Sequence, residues 1–247
     1  MVGGLWARLP ECTAMCTNYT PVTPQHLGAL PGLRLRHLPA DTWPAETNPG
    51  FAAPIVHRDP QGEVVASVAR FGLMPRWARD ADHASALARG TLNARSETVA
   101  EKPSFRQPWR ERRFALVPML DFFEPCWEDA ARHGNRSVRW RLRRPGHQPF
   151  AVAGLHEHWT DRASGELVHS FTLLTVNADG HPLLGRMHRP GEEKRTPVLV
   201  PPERWQGWLD ATPEQAATFM RRTPDELLVG EPAPRGAAPA PVQETLF

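Results

Sequence analysis

Hydrophobic positions in this chain fall in short runs separated by Pro- and Gly-containing turns. The segments 64–71 (VVASVARF), 114–117 (FALV), 137–142 (SVRWRL), 149–155 (PFAVAGL), 169–176 (HSFTLLTV) and 197–200 (PVLV) are β-branched or alternate apolar with polar positions, which predicts strands. Helical spacing is confined to brief stretches: 23–30, where Thr23 is a candidate cap; 85–89; 93–100; 202–209, opened by a Pro pair; 212–221, where Thr212 precedes Pro213 and Glu214; and 224–228. The strands do not alternate regularly with the helices. The expected class is therefore α+β, not a doubly wound sheet. The chain shows no internal repeat.

The pattern divides the chain into three zones. Residues 1–15 form a leader without periodicity. Residues 16–230 read as one globular unit, and the 247-residue length suits a single well-buried core. From Glu231 the sequence EPAPRGAAPAPVQETLF is rich in Pro and Ala and is expected to be disordered or extended. No stretch has the apolar length of a membrane span, the first residues lack a secretory apolar region, and three cysteines without a signal fit a reducing compartment, so a cytoplasmic protein is expected.

The net charge of +2 says little, but only Lys102 and Lys194 are lysines and every other basic side chain is arginine. Arginine presents a planar fork that matches phosphate, although codon bias produces the same enrichment. Placement has to decide. The segment 91–113 gathers Asn93, Arg95, Glu97, Lys102, Arg106, Arg110, Arg112 and Arg113. It is either a phosphate-tracking groove or a solvated basic face. Just upstream, FGLMPRW supplies Phe71, Pro75 and Trp77, which are either wedges for exposed bases or core residues. Glu124 follows two phenylalanines after a strand expected to end at Pro118. It is either a surface carboxylate or a partly desolvated acid with its pKa raised toward general acid/base use. His188 sits among Arg186, Arg189, Lys194 and Arg195 in a basic loop before a buried-looking strand.

Taken together, Met15-Cys16, FGLMPRW, NARSETVAEKPSFR, LVPMLDFFEP and RMHRP…PVLV resemble the SOS-response-associated peptidase (SRAP) family in order and approximate spacing along residues 15–209. The resemblance implies a single β-rich domain with mixed, barrel-like sheets and short peripheral helices. It also implies binding to single-stranded DNA and covalent capture of abasic sites, in the DNA-damage response. On the matching positions, Cys16 is the expected nucleophile with Asn93, Glu124 and His188 as its catalytic partners. Arg95 and Arg106 are the expected phosphate contacts, and Phe71, Pro75 and Trp77 the expected base contacts. The sequence departs from the family pattern in three places: Thr17, Asn18 and Tyr19 follow Cys16 where most members have Gly-Arg, Phe71 replaces a Trp, and PGEEKRTP follows His188.

The implied chemistry is physically coherent. An α-amine with a pKa near ~8 and a thiol near ~8.5 are both partly reactive at neutral pH. The amine forms an imine with the C1′ aldehyde, and the thiolate on the adjacent carbon then closes a thiazolidine. This requires Cys16 to be the first residue, through a start at Met15 or cleavage of the Met15–Cys16 bond. Weak lyase activity is an expected side reaction. A cysteine peptidase and a DNA binder without covalent chemistry are the alternatives. At the far end, Gln243, Leu246 and Phe247 resemble sliding-clamp-binding peptides. Cys126 is expected to be a buried thiol. His156 and His158 form half a metal-ligand pattern with no second pair at suitable spacing, so no metal and no other cofactor is expected.

Overall fold

A computed structural model of the chain describes residues 17–235. Its strands are β1 (Tyr19–Pro21), β2 (Ala52–Arg58), β3 (Val64–Phe71), β4 (Asn93–Arg95), β5 (Phe114–Cys126), β6 (Val138–Arg143), β7 (Phe150–Thr160), β8 (Leu167–Asn177), β9 (Arg195–Pro197), β10 (Leu199–Val200) and β11 (Val229–Pro232). The helices are short: α1 (Pro24–Gly28), α2 (Ala81–Gly90), α3 (Arg106–Arg110), α4 (Trp205–Asp210) and α5 (Pro213–Ala217).

Five strands close into a barrel. β2 pairs antiparallel with β3, β3 parallel with β8, β8 antiparallel with β7, β7 antiparallel with β5, and β5 antiparallel with β2. Closure removes the open edges of these strands. The short strands decorate this ring: β1 and β6 on β5, β11 on β6, β4 and β9 on β8, and β10 on β7.

Alternation along each strand sorts side chains between two cores. Ile55, Ala69, Val117, Val152, Phe171 and Leu173 fill the interior. Val56, Ala66, Leu116, Ala153, Leu155 and Leu174 face outward and are covered by Leu27 of α1 and by Trp205, Trp208 and Leu209 of α4. Both buried indoles are satisfied, Trp205 donating to the Val200 carbonyl and Trp208 to the Ala115 carbonyl. Gly154 marks a tight interior crossing. A Cβ there would sit 2.7 Å from the Thr172 carbonyl oxygen and 3.1 Å from the Val117 side chain.

The strand over 64–71 appears as predicted, those over 137–142, 149–155 and 169–176 appear with shifted ends, and 197–200 is divided between β9 on β8 and β10 on β7. Other expectations are corrected. The 93–100 segment is not a helix: residues 93–95 form β4, because Leu92 and Ser96 exchange backbone hydrogen bonds with Leu173 and Thr175 of β8. Barrel pairing overrides the helix-favouring composition. β5 does not end at Pro118, whose carbonyl still accepts from Val22 N while its neighbours pair with β7. α2 starts at Ala81, earlier than expected, because Asp80 caps the His83 amide. β11 runs to Pro232, so the first residues of the segment expected to be disordered or extended are in extended strand.

β5 also contains the irregularity on which the site depends. Thr20 pairs with Asp121 and Pro21 with Met119, so Leu120 is bulged. Before it, odd-numbered residues (Val117, Met119) face the inner core; after it, even-numbered ones (Phe122, Cys126) do.

Gly154→Ala should destabilise the barrel by about 1–3 kcal/mol through overpacking, read as a lower urea midpoint at unchanged slope.

Candidate functional site

Downstream of the Leu120 bulge, the inner-facing parity brings Glu124 to 3% exposure between Phe122 and Cys126. The segment around His188 runs back along the same strand. Trp127 N donates to Arg186 O, His188 N donates to Pro125 O at 2.8 Å, and Cys126 bridges to Met187. His188 Nε2 thereby lies 3.5 Å from Glu124 Oε2, with both side chains buried. His188 has a left-handed backbone (φ 61°), which costs energy for a non-glycine residue. Lys194 holds this turn: its Nζ donates to the carbonyls of Met187, His188 and Arg189 at 2.7, 3.1 and 2.8 Å. Burial, with the Lys194 charge adding to it, pushes the His188 imidazole down to about 4. It is neutral at pH 7, and its Nε2 makes no hydrogen bond among the described residues.

Asn18 and β1 reach the same place. Phe123 N donates to Asn18 O, and Tyr19 bridges to Thr47. The Asn18 side chain donates to Thr47 O and Asn48 Oδ1 and accepts from Arg139 Nη2 at 2.6 Å. Arg139 in turn stacks over the Phe123 ring and pairs with Glu46. A guanidinium from β6 therefore contacts the Asn18 side chain directly. Cys16 itself lies outside the described residues, as do Cys12 and the tail residues Gln243, Leu246 and Phe247. Cys126 is a buried free thiol.

Asn93 opens β4 opposite Leu173 of β8, and its neighbour Leu92 packs in the core cluster that also holds Tyr19, Phe122 and Met187. Two residues on, Arg95 is exposed and pairs with Glu193. Glu97 has a structural partner: fully buried Arg195 donates to both of its carboxylate oxygens, and also to Glu193 and the Thr175 carbonyl. Burial alone would raise the Glu97 carboxyl, but the Arg195 bonds outweigh it and hold the pKa below the usual range.

The expected basic groove is only partly available. Arg112 is committed to the Asp210 and Ala211 carbonyls and Arg113 to Glu111 and Glu157, whereas Lys102, Arg106 and Arg110 are exposed. Phe71 is not a base wedge: it has no exposed surface, stacks on Phe171 and meets Tyr19 edge-on. Pro75 is likewise buried. Trp77 remains 42% exposed, its indole N–H donating to Pro103 O. Sequence reasoning missed Phe51, an aromatic 46% exposed whose amide bonds to Asn48, the partner of Asn18. Its signal, one Phe after a Pro-Gly turn, is too common to stand out.

A five-stranded barrel carrying a buried carboxylate–imidazole pair on the strand that also pairs with β1 defines a β-rich class with an enclosed polar site. The sequence profile of the family described as SOS response associated peptidase (SRAP) matches residues 15–234, and the chain belongs to that family. It is similar to the abasic site processing protein YobE of Bacillus subtilis, 31% identical over 141 residues, covering 57% of each chain. It also resembles the abasic site processing protein HMCES of Gallus gallus, 26% identical over 44% of this chain and 36% of that one. These matches span little more than half, or less, of the relatives' lengths. A solved structure from Bordetella bronchiseptica shares the fold with TM-score 0.76 and 28% identity, covering 88% of this chain and 99% of that one. One from Bacteroides thetaiotaomicron does so with TM-score 0.74 and 22% identity, covering 89% and 93%.

Two outcomes follow. Unfolding exposes His188 to its ordinary pKa of 6.5, so between pH 6.5 and about 4 the unfolded chain binds the extra proton and stability falls with pH. The contribution is on the order of 3 kcal/mol at 1.36 kcal/mol per unit, and His188→Gln should flatten the melting temperature profile over that window. Glu97→Ala should cost about 2 kcal/mol by removing a charged partner of buried Arg195, measured by urea unfolding.

Proposed function

We propose that the chain captures abasic sites in single-stranded DNA through a thiazolidine formed by the α-amine and thiol of Cys16. The observation that carries this reading is the buried Glu124–His188 pair beside Asn18, which is two residues along the chain from Cys16. Relatives named abasic site processing proteins support the DNA substrate. In this reading residues 1–15 are absent from the active form, through a start at Met15 or cleavage before Cys16.

The Cys16 amine adds to the C1′ aldehyde of the opened sugar, and water leaves to form the imine. The thiol then adds to the imine carbon, its proton passing to the nitrogen, and the ring closes. Glu124 carries protons between the amine and the departing oxygen. Neutral His188 takes the hydroxyl proton of the closed sugar as it opens. Asn93 orients the amine or sugar by hydrogen bonds. Arg95 and Arg106 hold flanking phosphates, and exposed Trp77 and Phe51 stack on bases. Imine formation also permits slow β-elimination, a lyase side reaction. The tail residues Gln243, Leu246 and Phe247 dock on the sliding clamp and bring the protein to the nucleoid, and loss of clamp binding in Leu246→Ala/Phe247→Ala checks this.

Protein beginning at Cys16, incubated with an abasic single-stranded oligonucleotide, should form an adduct stable on a denaturing gel. Cys16→Ser should stop at an imine seen only after borohydride reduction, and Glu124→Gln should slow capture by about 100-fold. Equal adduct formation by a chain retaining residues 1–15 would sink the mechanism. Binding that is only salt-sensitive would assign a non-covalent DNA binder, and peptide cleavage abolished by Cys16→Ala a peptidase.

A further inference from the structure

The barrel interior is apolar through most of its length but changes character at one end. There the inner-facing positions are His57 on β2, Ser67 on β3, His156 and His158 on β7, and His169 on β8. His156 and His158 are alternate residues on one face, and His169 pairs directly across from His158. One ring nitrogen from each of His156, His158 and His169 lies within 4.8 Å of the other two. Nδ1 of His156 and Nε2 of His169 are 3.0 Å apart, and the His158 and His169 rings stack at 4.0 Å.

We propose that His156, His158 and His169 bind a divalent transition-metal ion, zinc in the first instance, with water at the fourth position. Three imidazoles are borderline donors suited to zinc, and ligands at 2.0–2.1 Å in a tetrahedron stand about 3.3 Å apart, within reach of small side-chain rotations. His57 walls the site with its ring 4.4 Å from His156. Its own nitrogens are committed, Nδ1–H donating to Arg58 O and Nε2 accepting from the Ser67 hydroxyl. Nearby Arg76 and Arg113 do not repel a cation at full strength, because buried Glu157 pairs with both and Glu111 joins them. Without a metal, the three rings share a single hydrogen bond among them, and the His158 ring makes none to the described residues. Spacing alone predicts no metal here, because the third ligand comes from the neighbouring strand.

Tag-free protein carrying Cys16→Ser, which removes the terminal thiol, is titrated with zinc against a chromophoric chelator. The expected result is one equivalent bound, a melting temperature that rises with zinc, and histidine nitrogen NMR shifts confined to the three rings. His158→Gln and His169→Gln should each weaken binding by at least about tenfold, while exposed His147→Gln leaves it unchanged. The NMR measurement on chain with all histidines intact decides the matter even if a variant fails to fold. Absence of stoichiometric binding, or binding that shifts other histidines instead, overturns the proposal.

Discussion

The backbone hydrogen bonding of β5 to β7 is the constraint from which the rest of the structure follows. Six consecutive residue pairs, Phe114–Met119 against Leu155–Phe150, join the two halves of the barrel and turn an open sheet into a ring. Closure separates an inner core from an outer one and gives each strand a face that must stay apolar. β5 then continues past the ring, and the bulge at Leu120 exchanges its faces. A regular strand would point Phe122 and Glu124 away from the inner core. The same irregularity that preserves the hydrophobic register therefore buries a carboxylate.

Burial of polar groups around that carboxylate is sustained by satisfied ion pairs and carbonyl contacts. Arg195, fully enclosed, is matched by Glu97, Glu193 and Thr175, and this ties β4 to the loop after His188. Lys194 closes on three successive carbonyls and stabilises the left-handed turn at His188. Both residues lie in the PGEEKRTP segment after His188, so this loop is shaped by its own charge network.

Much of the architecture was legible because short alternating runs in this chain are barrel strands with one face inward. β3 is read directly from VVASVARF. The segment 93–100 was not, because Ala, Arg and Glu favour a helix and only the distant β8 reveals the competing partner. β2 was missed since AAPIVHR is interrupted by Pro54 and lacks alternation. In the site, Glu124 and His188 were legible as candidates, but their proximity depends on a backbone bridge between Cys126 and Met187. Phe71 shows the limit in the other direction: an aromatic beside a basic segment looks like a surface wedge until a second aromatic strand covers it. Asn18, Arg139 and Phe51 carry no motif, and their importance arises only from contacts between segments far apart in the chain.

The three-way clasp on Asn18 has a mechanical consequence. Its side chain donates to Thr47 and Asn48 and accepts from Arg139, so it fastens β6 to the segment before β2. Its backbone carbonyl accepts from Phe123 N, beside Glu124, and a shift of any of these segments is therefore transmitted to the strand that carries the buried carboxylate.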